Sequence, residues 1–421
     1  MRVLLTQHAA SAHLYLMVPI AWALKSAGHD VVIAGQPDIV DGIRRTGLTG
    51  VSVGVLSDVA ARLAALPPDQ HIYGSGHDLT EERAEVLTYP YVRDCLAAWA
   101  SPLAFDLITD QSMYDDLVEF CRAWRPDLVI WDSITFPGPV AARACGAAHV
   151  RTTFGRDHWA RMRDLFLTLR GDRDEDPVAD WLTAKLGRYG CGYDEDLVLG
   201  QATVDTMPRW ARFPLAMDHT YLPARYIPHN GPAVVPDWLI PVADRRRVCF
   251  TLGVSGAEMW AGQGSIALTD LFDAVADLDV EVIATVSPDR LPPGVKAPDN
   301  VRLVDFVPLN SLLPSCAAIV HHGGTGTTCT ALAHGVPQLI VPAQLYDERG
   351  IALALAGQGA AVVVEPGDLT GDTLRKGLIS LLDGPSYAAA ATRLQRDAAD
   401  TPSPADLVSD LENLVAARRE R

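Results

Sequence analysis

"MRVLLTQHAASAHLYLMVPIAWALKSAGHDVVIAG", residues 1–35, decides the fold. Residues 2–6, RVLLT, are a short apolar run, and residues 12–28 carry apolar side chains at helical spacing up to Gly28. Residues 30–35, DVVIAG, are a second run rich in β-branched side chains. Strand, helix and strand joined by short connections predict a parallel βαβ unit, because parallel neighbours need a crossover. His13 and Pro19 interrupt the apolar run, and no small-residue cleavage site follows, so the segment does not read as a secretory leader. No uninterrupted stretch reaches the roughly 18 apolar residues of a membrane span, so a cytoplasmic protein is expected.

Outward from this unit the alternation recurs. "PDLVIWD" (126–132) is followed by "PGPVAARACG" and "HVRTTF", again strand, helix and strand. Residues 56–125 are less regular and carry His71, Tyr73, His77, Tyr89, Tyr91 and Trp99. They suit a helical surface elaboration, or the wall of an acceptor pocket for a bulky apolar molecule, with His71, Tyr73, Tyr89 and Trp99 as lining. From 205 to 243 proline and aromatic residues are dense, which prevents continuous helix or central strand and predicts an ordered connector. Strands then resume at "RVCFTLGVS", "VEVIATVS", "VRLVDFVP", "AAIVHHGG", "PQLIVP" and "GAAVVVE", separated by helical stretches. The expected fold is α/β, two Rossmann-like, doubly wound parallel-sheet domains facing across a cleft. The expected divisions are 1–210, a connector over 211–243, a second domain over 244–385, and terminal helices over 386–421 packing back on the first domain. Ligands of such sheets bind at the carboxyl ends of the strands, where loops 7–13 and 321–327 both lie.

Composition narrows the partners. The 421 residues are 48% hydrophobic and 21% charged, ordinary for a globular chain, with a net charge of −17. That charge disfavours nucleic acid or an anionic membrane as main partner while leaving room for a local anion site. The seven cysteines are scattered, without a CxxC pair, and several sit in apolar runs where a reduced thiol acts as a small hydrophobe.

The chemistry concentrates at "VHHGGTGTTCTALAHGVPQ", residues 320–338. An apolar strand ends in His321-His322, glycines follow at 323, 324 and 326, and an alanine-rich helix begins. A glycine-rich turn at a helix N-terminus presents unpaired amides and the positive end of the helix dipole, which suits a phosphate. Thr327 and Thr328 can add hydroxyl donors. No lysine follows the last glycine, so this is not a Walker loop, and the spacing is not that of the dinucleotide fingerprint.

With "WRPDLVIWDSITFPGPVAA", "RRRVCFTLGVS", "PDNVRLVDFVPLNSLLPSCAAIVHHGG", "HGVPQLIVP" and "PHNGPAVVPDWL", the chain resembles the GT-B glycosyltransferases that decorate macrolides and aromatic polyketides. Within that family it is erythromycin desosaminyltransferase-like, over essentially its whole length. The resemblance implies an inverting transfer of a deoxysugar from a TDP-sugar co-substrate to a hydroxyl of a lipophilic aglycone in antibiotic biosynthesis, without a metal cofactor. By matching position it implies that His322 meets the diphosphate and that Gly324, Gly326 and Thr327 supply donors. Ser255 in "TLGVS" would face the same phosphates, Phe306 would stack on the nucleobase, and the Val307 backbone would bind the pyrimidine. "DRDED" (172–176) superficially contains the acidic triplet of metal-dependent sugar transferases but reads as a solvated loop.

A hydroxyl needs a base, and histidine titrates in the right range. His13, opening the first helix, matches the family's catalytic histidine, with His8 as a neighbouring competitor. An acid at another strand end would orient it, and Asp132 in "VIWDSI" fits that role. In "PAQLYDERG" the family's sugar-gripping pair becomes Asp347-Glu348, where a carboxylate replaces an amide. Glu348 could pair with an amino group on the sugar, although simple acceptance of hydroxyl hydrogen bonds is the better expectation. The alternatives are a catalytically silent regulatory homologue, a transferase for another lipophilic acceptor, or a C-glycoside former. Relatives of this type often need a cytochrome P450-like auxiliary protein, and the resemblance extends that expectation, together with a homodimer, to this chain.

Overall fold

The N-terminal βαβ unit belongs to a seven-stranded sheet. A computed structural model describes residues 1–67, 72–241, 243–253, 266–291, 293–344 and 346–419. The chain divides into two compact units, Met1–Met207 with Arg212–Ala224 and Pro402–Arg421, and Pro208–Ala211 with Arg225–Thr401.

The first unit contains β1 (Arg2–Thr6), β2 (Asp30–Gly35), β3 (Thr49–Ser52), β4 (Leu128–Asp132), β5 (Ala148–Thr152), β6 (Thr203–Asp205) and β7 (Tyr221–Pro223). All pairings are parallel, in the order β3-β2-β1-β4-β5-β6-β7. Buried on both faces, these strands read as near-continuous apolar runs, which is why "VLLT" and "LVIWD" lack alternation. The helix Ser11–Ser26 crosses from β1 to β2 and buries Leu14, Met17, Val18, Ala21 and Leu24, a stripe at helical spacing. That stripe packs with Val3, Leu5, Ile33 and Ile130 into one core. Pro19 lies inside the helix without ending it; the buried stripe on either side holds the chain in register.

The second unit repeats the design with β8 (Arg246–Thr251), β9 (Val280–Thr285), β10 (Val301–Leu303), β11 (Cys316–His321), β12 (Gln338–Ile340) and β13 (Ala361–Val363). The order is β10-β9-β8-β11-β12-β13, all parallel. In both sheets the winding reverses direction beside the first strand, between β1 and β4 and between β8 and β11. These reversals are the topological switch points, where the loops leaving neighbouring strands part and leave room for a ligand.

Two boundaries differ from the sequence reading. The stretch 211–243 is not a separate connector: residues 212–224 complete the first unit, and residues 225–241 belong to the second. Tyr221–Pro223 pairs with Thr203–Asp205 as the edge strand, a position that tolerates proline because one side needs no donor. The terminal helices also part company. Helix Pro385–Ala399 buries Ala391 and Leu394 with Leu332, Ile340 and Leu355 of the second unit. Helix Leu407–Arg419 buries Leu407, Val408, Leu411 and Val415 against Leu128, Ile130 and Val150 of the first. None of the seven cysteines is in a disulfide, and among the described residues no helix is long and apolar enough to cross a membrane.

Candidate active site

At the switch point of the first sheet, β1 and β4 deliver a histidine and an aspartate to each other. Asp132 ends β4; His13 sits in the first turn of the helix that leaves β1. The two meet at 2.7 Å, His13 Nδ1 to Asp132 Oδ2. The same carboxylate oxygen accepts the backbone N–H of His8 at 3.2 Å. An ionised carboxylate only accepts, so Nδ1 of His13 carries the hydrogen and Nε2 keeps its lone pair. Burial pushes the Asp132 carboxyl upward, but the facing His13 and its hydrogen bond, with the His8 amide, outweigh burial and hold it below the usual carboxylate range.

His8 lies edge-on to His13, ring centroids 5.2 Å apart. Desolvation, reinforced by the neighbouring His13, lowers His8 to about 4. Its ring therefore stays neutral, and its backbone rather than its ring serves Asp132. Phe154, just beyond β5, lies 4.6 Å from the His13 ring, centroid to centroid. Sequence reasoning passed over Phe154; its place after the strand of "HVRTTF" was the available signal.

The acceptor-pocket residues fare differently. His71 lies outside the described residues, as does the side chain of Tyr73. Tyr89 stacks on Phe166 and carries the Arg173 guanidinium 4.4 Å over its ring, while its hydroxyl donates to Glu175. Trp99 donates its indole N–H to the His77 carbonyl and packs on Phe105, part of an aromatic cluster with Phe136, Trp159 and Trp181. Both thus have structural employment, tying the insert to the segment 159–181. In "DRDED", Asp176 caps the helix Pro177–Gly187 by accepting from the Ala179 amide, and it pairs with Arg163.

The glycine-rich turn lies at the switch point of the second sheet. The helix Thr325–Ala333 starts directly after β11, with Gly324 as its N-cap and no side-chain cap. Its first backbone bond is from Thr328 N–H to Gly324 O, so the amides of Thr325, Gly326 and Thr327 are left pointing forward. His322 is 8% exposed, and its ring lies between two glycines. A Cβ on Gly253 would come within 2.5 Å of its Cε1, and a Cβ on Gly324 within 2.8 Å of its Nε2. Gly253 is held by its own amide donating to Thr251 Oγ1, which in turn accepts from Thr285 Oγ1 at 2.8 Å. Thr251 and Gly253 were not singled out from sequence, although Gly253 stands in the "TLGVS" motif. Ser255 of that motif lies outside the described residues.

Phe306 is 53% exposed while Val307 is buried in the core, so the aromatic ring is not a core phenylalanine. Asp347 is buried, and Glu348 opens the helix Glu348–Gly357. One Glu348 carboxylate oxygen accepts the Tyr346 amide at 2.8 Å, so this side chain shapes its own loop.

His322 is lowered to about 4 by desolvation, and His321 to about 3 by desolvation and the neighbouring His322. With His8, these imidazoles stay neutral when folded but take up a proton in the unfolded chain below its ordinary value of 6.5. The stability they contribute is fully present above pH 6.5 and is lost as pH falls toward 4, at up to about 1.4 kcal/mol per pH unit for each group. The thermal midpoint should therefore fall steeply between pH 6.5 and pH 5; a flat profile over that window would contradict buried neutral histidines.

Two Rossmann-like sheets of this winding, one bearing a histidine–aspartate pair and the other an anion turn, define a GT-B glycosyltransferase. The chain belongs to the erythromycin biosynthesis protein CIII-like family, whose N-terminal domain matches residues 22–253 and whose C-terminal domain matches residues 269–414. It is 46% identical over 432 aligned residues to the aclacinomycin-T 2-deoxy-L-fucose transferase of Streptomyces galilaeus, covering 100% of this chain and 97% of that one. It is 41% identical to the 10-deoxymethynolide desosaminyltransferase of Streptomyces venezuelae, covering 100% and 98%. Among solved structures, the glycosyltransferase VinC in complex with dTDP superposes with a TM-score of 0.89 at 45% identity, covering 99% of this chain and 100% of VinC.

Proposed function

We propose that this glycosyltransferase moves a deoxysugar from a TDP-sugar to a hydroxyl of a polyketide aglycone, with inversion at the anomeric carbon. The observation that carries the mechanism is the 2.7 Å hydrogen bond from His13 Nδ1 to Asp132. It leaves Nε2 as a base. The acceptor hydroxyl gives its proton to Nε2 as its oxygen attacks the anomeric carbon. The bond from that carbon to the diphosphate breaks, and the diphosphate leaves with the electron pair. Attack opposite the leaving group inverts the centre. Asp132 stabilises the imidazolium that forms.

On the second unit, His322, Gly324, Gly326 and Thr327 receive the growing charge of the diphosphate. Fixed amide dipoles are already oriented, so they do the work of a metal ion without reorganising. The exposed ring of Phe306 offers a face for the nucleobase, with the backbone of Val307 beside it. Asp347 and Glu348 accept from sugar hydroxyls. The substrate class rests on the relatives, named for a 2-deoxy-L-fucose and a desosaminyl transfer, and on VinC, which binds dTDP.

A panel of TDP- and UDP-sugars against macrolide and aromatic polyketide aglycones, read by mass spectrometry, tests the reading. It is run with and without a P450-like auxiliary protein. TDP-deoxysugars should give product and UDP-hexoses at most traces. No product from any pair, with or without the auxiliary protein, would overturn the proposal in favour of a binding role.

A further inference from the structure

Behind the anion turn lies a chain of buried hydrogen bonds that the proposed mechanism does not use. His321 and Gln338 stand on neighbouring strands β11 and β12, where register pairs Ile319 with Gln338 and His321 with Ile340. The two side chains therefore share one face of the sheet, and both are fully buried. The Gly323 N–H donates to His321 Nδ1 at 3.1 Å. Because an amide can only donate, Nδ1 holds the lone pair and the ring proton is on Nε2. That Nε2–H donates to Gln338 Oε1 at 2.9 Å. The Gln338 amide group then donates to the Thr328 carbonyl at 3.2 Å. The reverse amide orientation would set two donors against each other at His321, so one arrangement satisfies every group.

The chain of bonds starts in the turn and ends in the helix that the turn begins. It spans the stretch from which Gly324, Thr325, Gly326 and Thr327 present their amides. Gly323 itself adopts φ +93°, and a Cβ there would meet Ile340 Cγ2 at 3.2 Å and Glu348 Cβ at 3.1 Å. Its amide is thus turned inward, away from any ligand, and needs a buried acceptor. The first helical turn is braced separately: the Gly326 carbonyl accepts from Thr330 Oγ1 at 2.6 Å and from the Tyr226 hydroxyl at 3.1 Å.

We propose that His321 and Gln338 are positioning residues of the donor site, a permanently neutral imidazole and an amide that together fix the tautomer, the Gly323 peptide and the start of the helix on which diphosphate is held. This rests on the reading that the turn binds the diphosphate. Protonating His321 would place a ring N–H against the Gly323 N–H and force the turn apart, and complete burial opposes that protonation.

The test compares H321L, H321N, Q338M and Q338E with the parent by calorimetric titration with dTDP and by donor and acceptor KM. Asparagine at 321 can still accept the amide two residues on, as such side chains do in turns. H321L and Q338M should weaken dTDP binding about ten-fold and raise donor KM alike, leaving acceptor KM unchanged, with H321N recovering most of the loss. Q338E puts a carboxylate beside Nε2, favours the imidazolium, and should make dTDP affinity fall with acid near neutral pH, where the parent is flat. In the 15N-histidine spectrum of the parent, the signal lost in H321N should show an Nε2–H tautomer unchanged from pH 5 to 8, which does not depend on any variant at 338 folding. Unaltered dTDP affinity in folded H321L and Q338M, equal losses in H321N and H321L, or titration of that signal between pH 5 and 8 would overturn the proposal. Failure of the parent to bind dTDP would instead remove the reading on which it rests.

Discussion

Replacing His13 by alanine should lower kcat about 10³-fold while leaving dTDP affinity within two-fold of the parent, the usual scale for loss of a positioned general base. The separation of effects follows from where the groups sit. His13 and Asp132 belong to the first unit, whereas the turn from His322 to Thr327 belongs to the second. Asp132→Asn is the more incisive variant, because it preserves shape and removes the negative charge beside His13. Asp132 Oδ2 accepts from both His13 Nδ1 and the His8 amide. In the asparagine variant the side-chain oxygen can still accept both N–H groups, with its NH2 in place of Oδ1, but it carries no charge. The imidazolium that forms as the acceptor gives up its proton then loses its stabilising partner. A loss comparable to that of H13A is expected, about 10³ or more by analogy with aspartate-to-asparagine changes in histidine triads. Steady-state rates at saturating donor, with dTDP titration as the control, decide the matter. Turnover of H13A within ten-fold of the parent would rule out His13 as the base. A D132N variant with normal rates would confine Asp132 to structure.

Much of this site could be read from residue order, and the reason is topological. In a doubly wound sheet each strand's carboxyl end is a functional position, so a histidine after β1, an aspartate ending β4 and a histidine pair ending β11 stand out without coordinates. What sequence could not supply was the partner of each group. His8 looked like a rival base because its type and position were right. Its low proton affinity comes from burial and from His13, and its backbone contact with Asp132 is a matter of loop path. Phe154 and Gly253 stand at strand ends as well, but their roles were hidden for a similar reason: each matters for the ring it touches, His13 or His322, across more than a hundred residues or several tens. The edge strand Tyr221–Pro223 was hidden by its proline, which is disfavoured in a central strand but harmless at an edge. The division of the terminal helices depends on which core accepts Leu394 and which accepts Leu411, and neither helix's own sequence names its partner.

The His322 ring sets up the second large effect. On the proposed reading His322→Ala removes a buried donor to the departing diphosphate, so kcat should fall by about 10²- to 10³-fold, the range for loss of one donor to a developing oxyanion. The dTDP affinity should fall as well, but by less, because the charge on the diphosphate oxygens grows as the bond breaks. Gly253→Ala should produce much of the same loss without touching the histidine. Its φ is +69°, where an alanine costs about 1–2 kcal/mol, and its Cβ would lie 2.5 Å from His322 Cε1, closer than two carbons can approach. The ring must then leave its slot between Gly253 and Gly324. The double variant separates the two causes. With alanine at 322 the ring atoms that the new methyl at 253 would strike are gone, so the backbone cost is what remains. G253A/H322A should therefore be little slower than H322A alone, a coupling of about 2 kcal/mol or more between positions 69 residues apart in the chain. If the two losses simply add, Gly253 acts on the donor site by some route other than the His322 ring, and the tight fit of that ring between two glycines has no part in the rate.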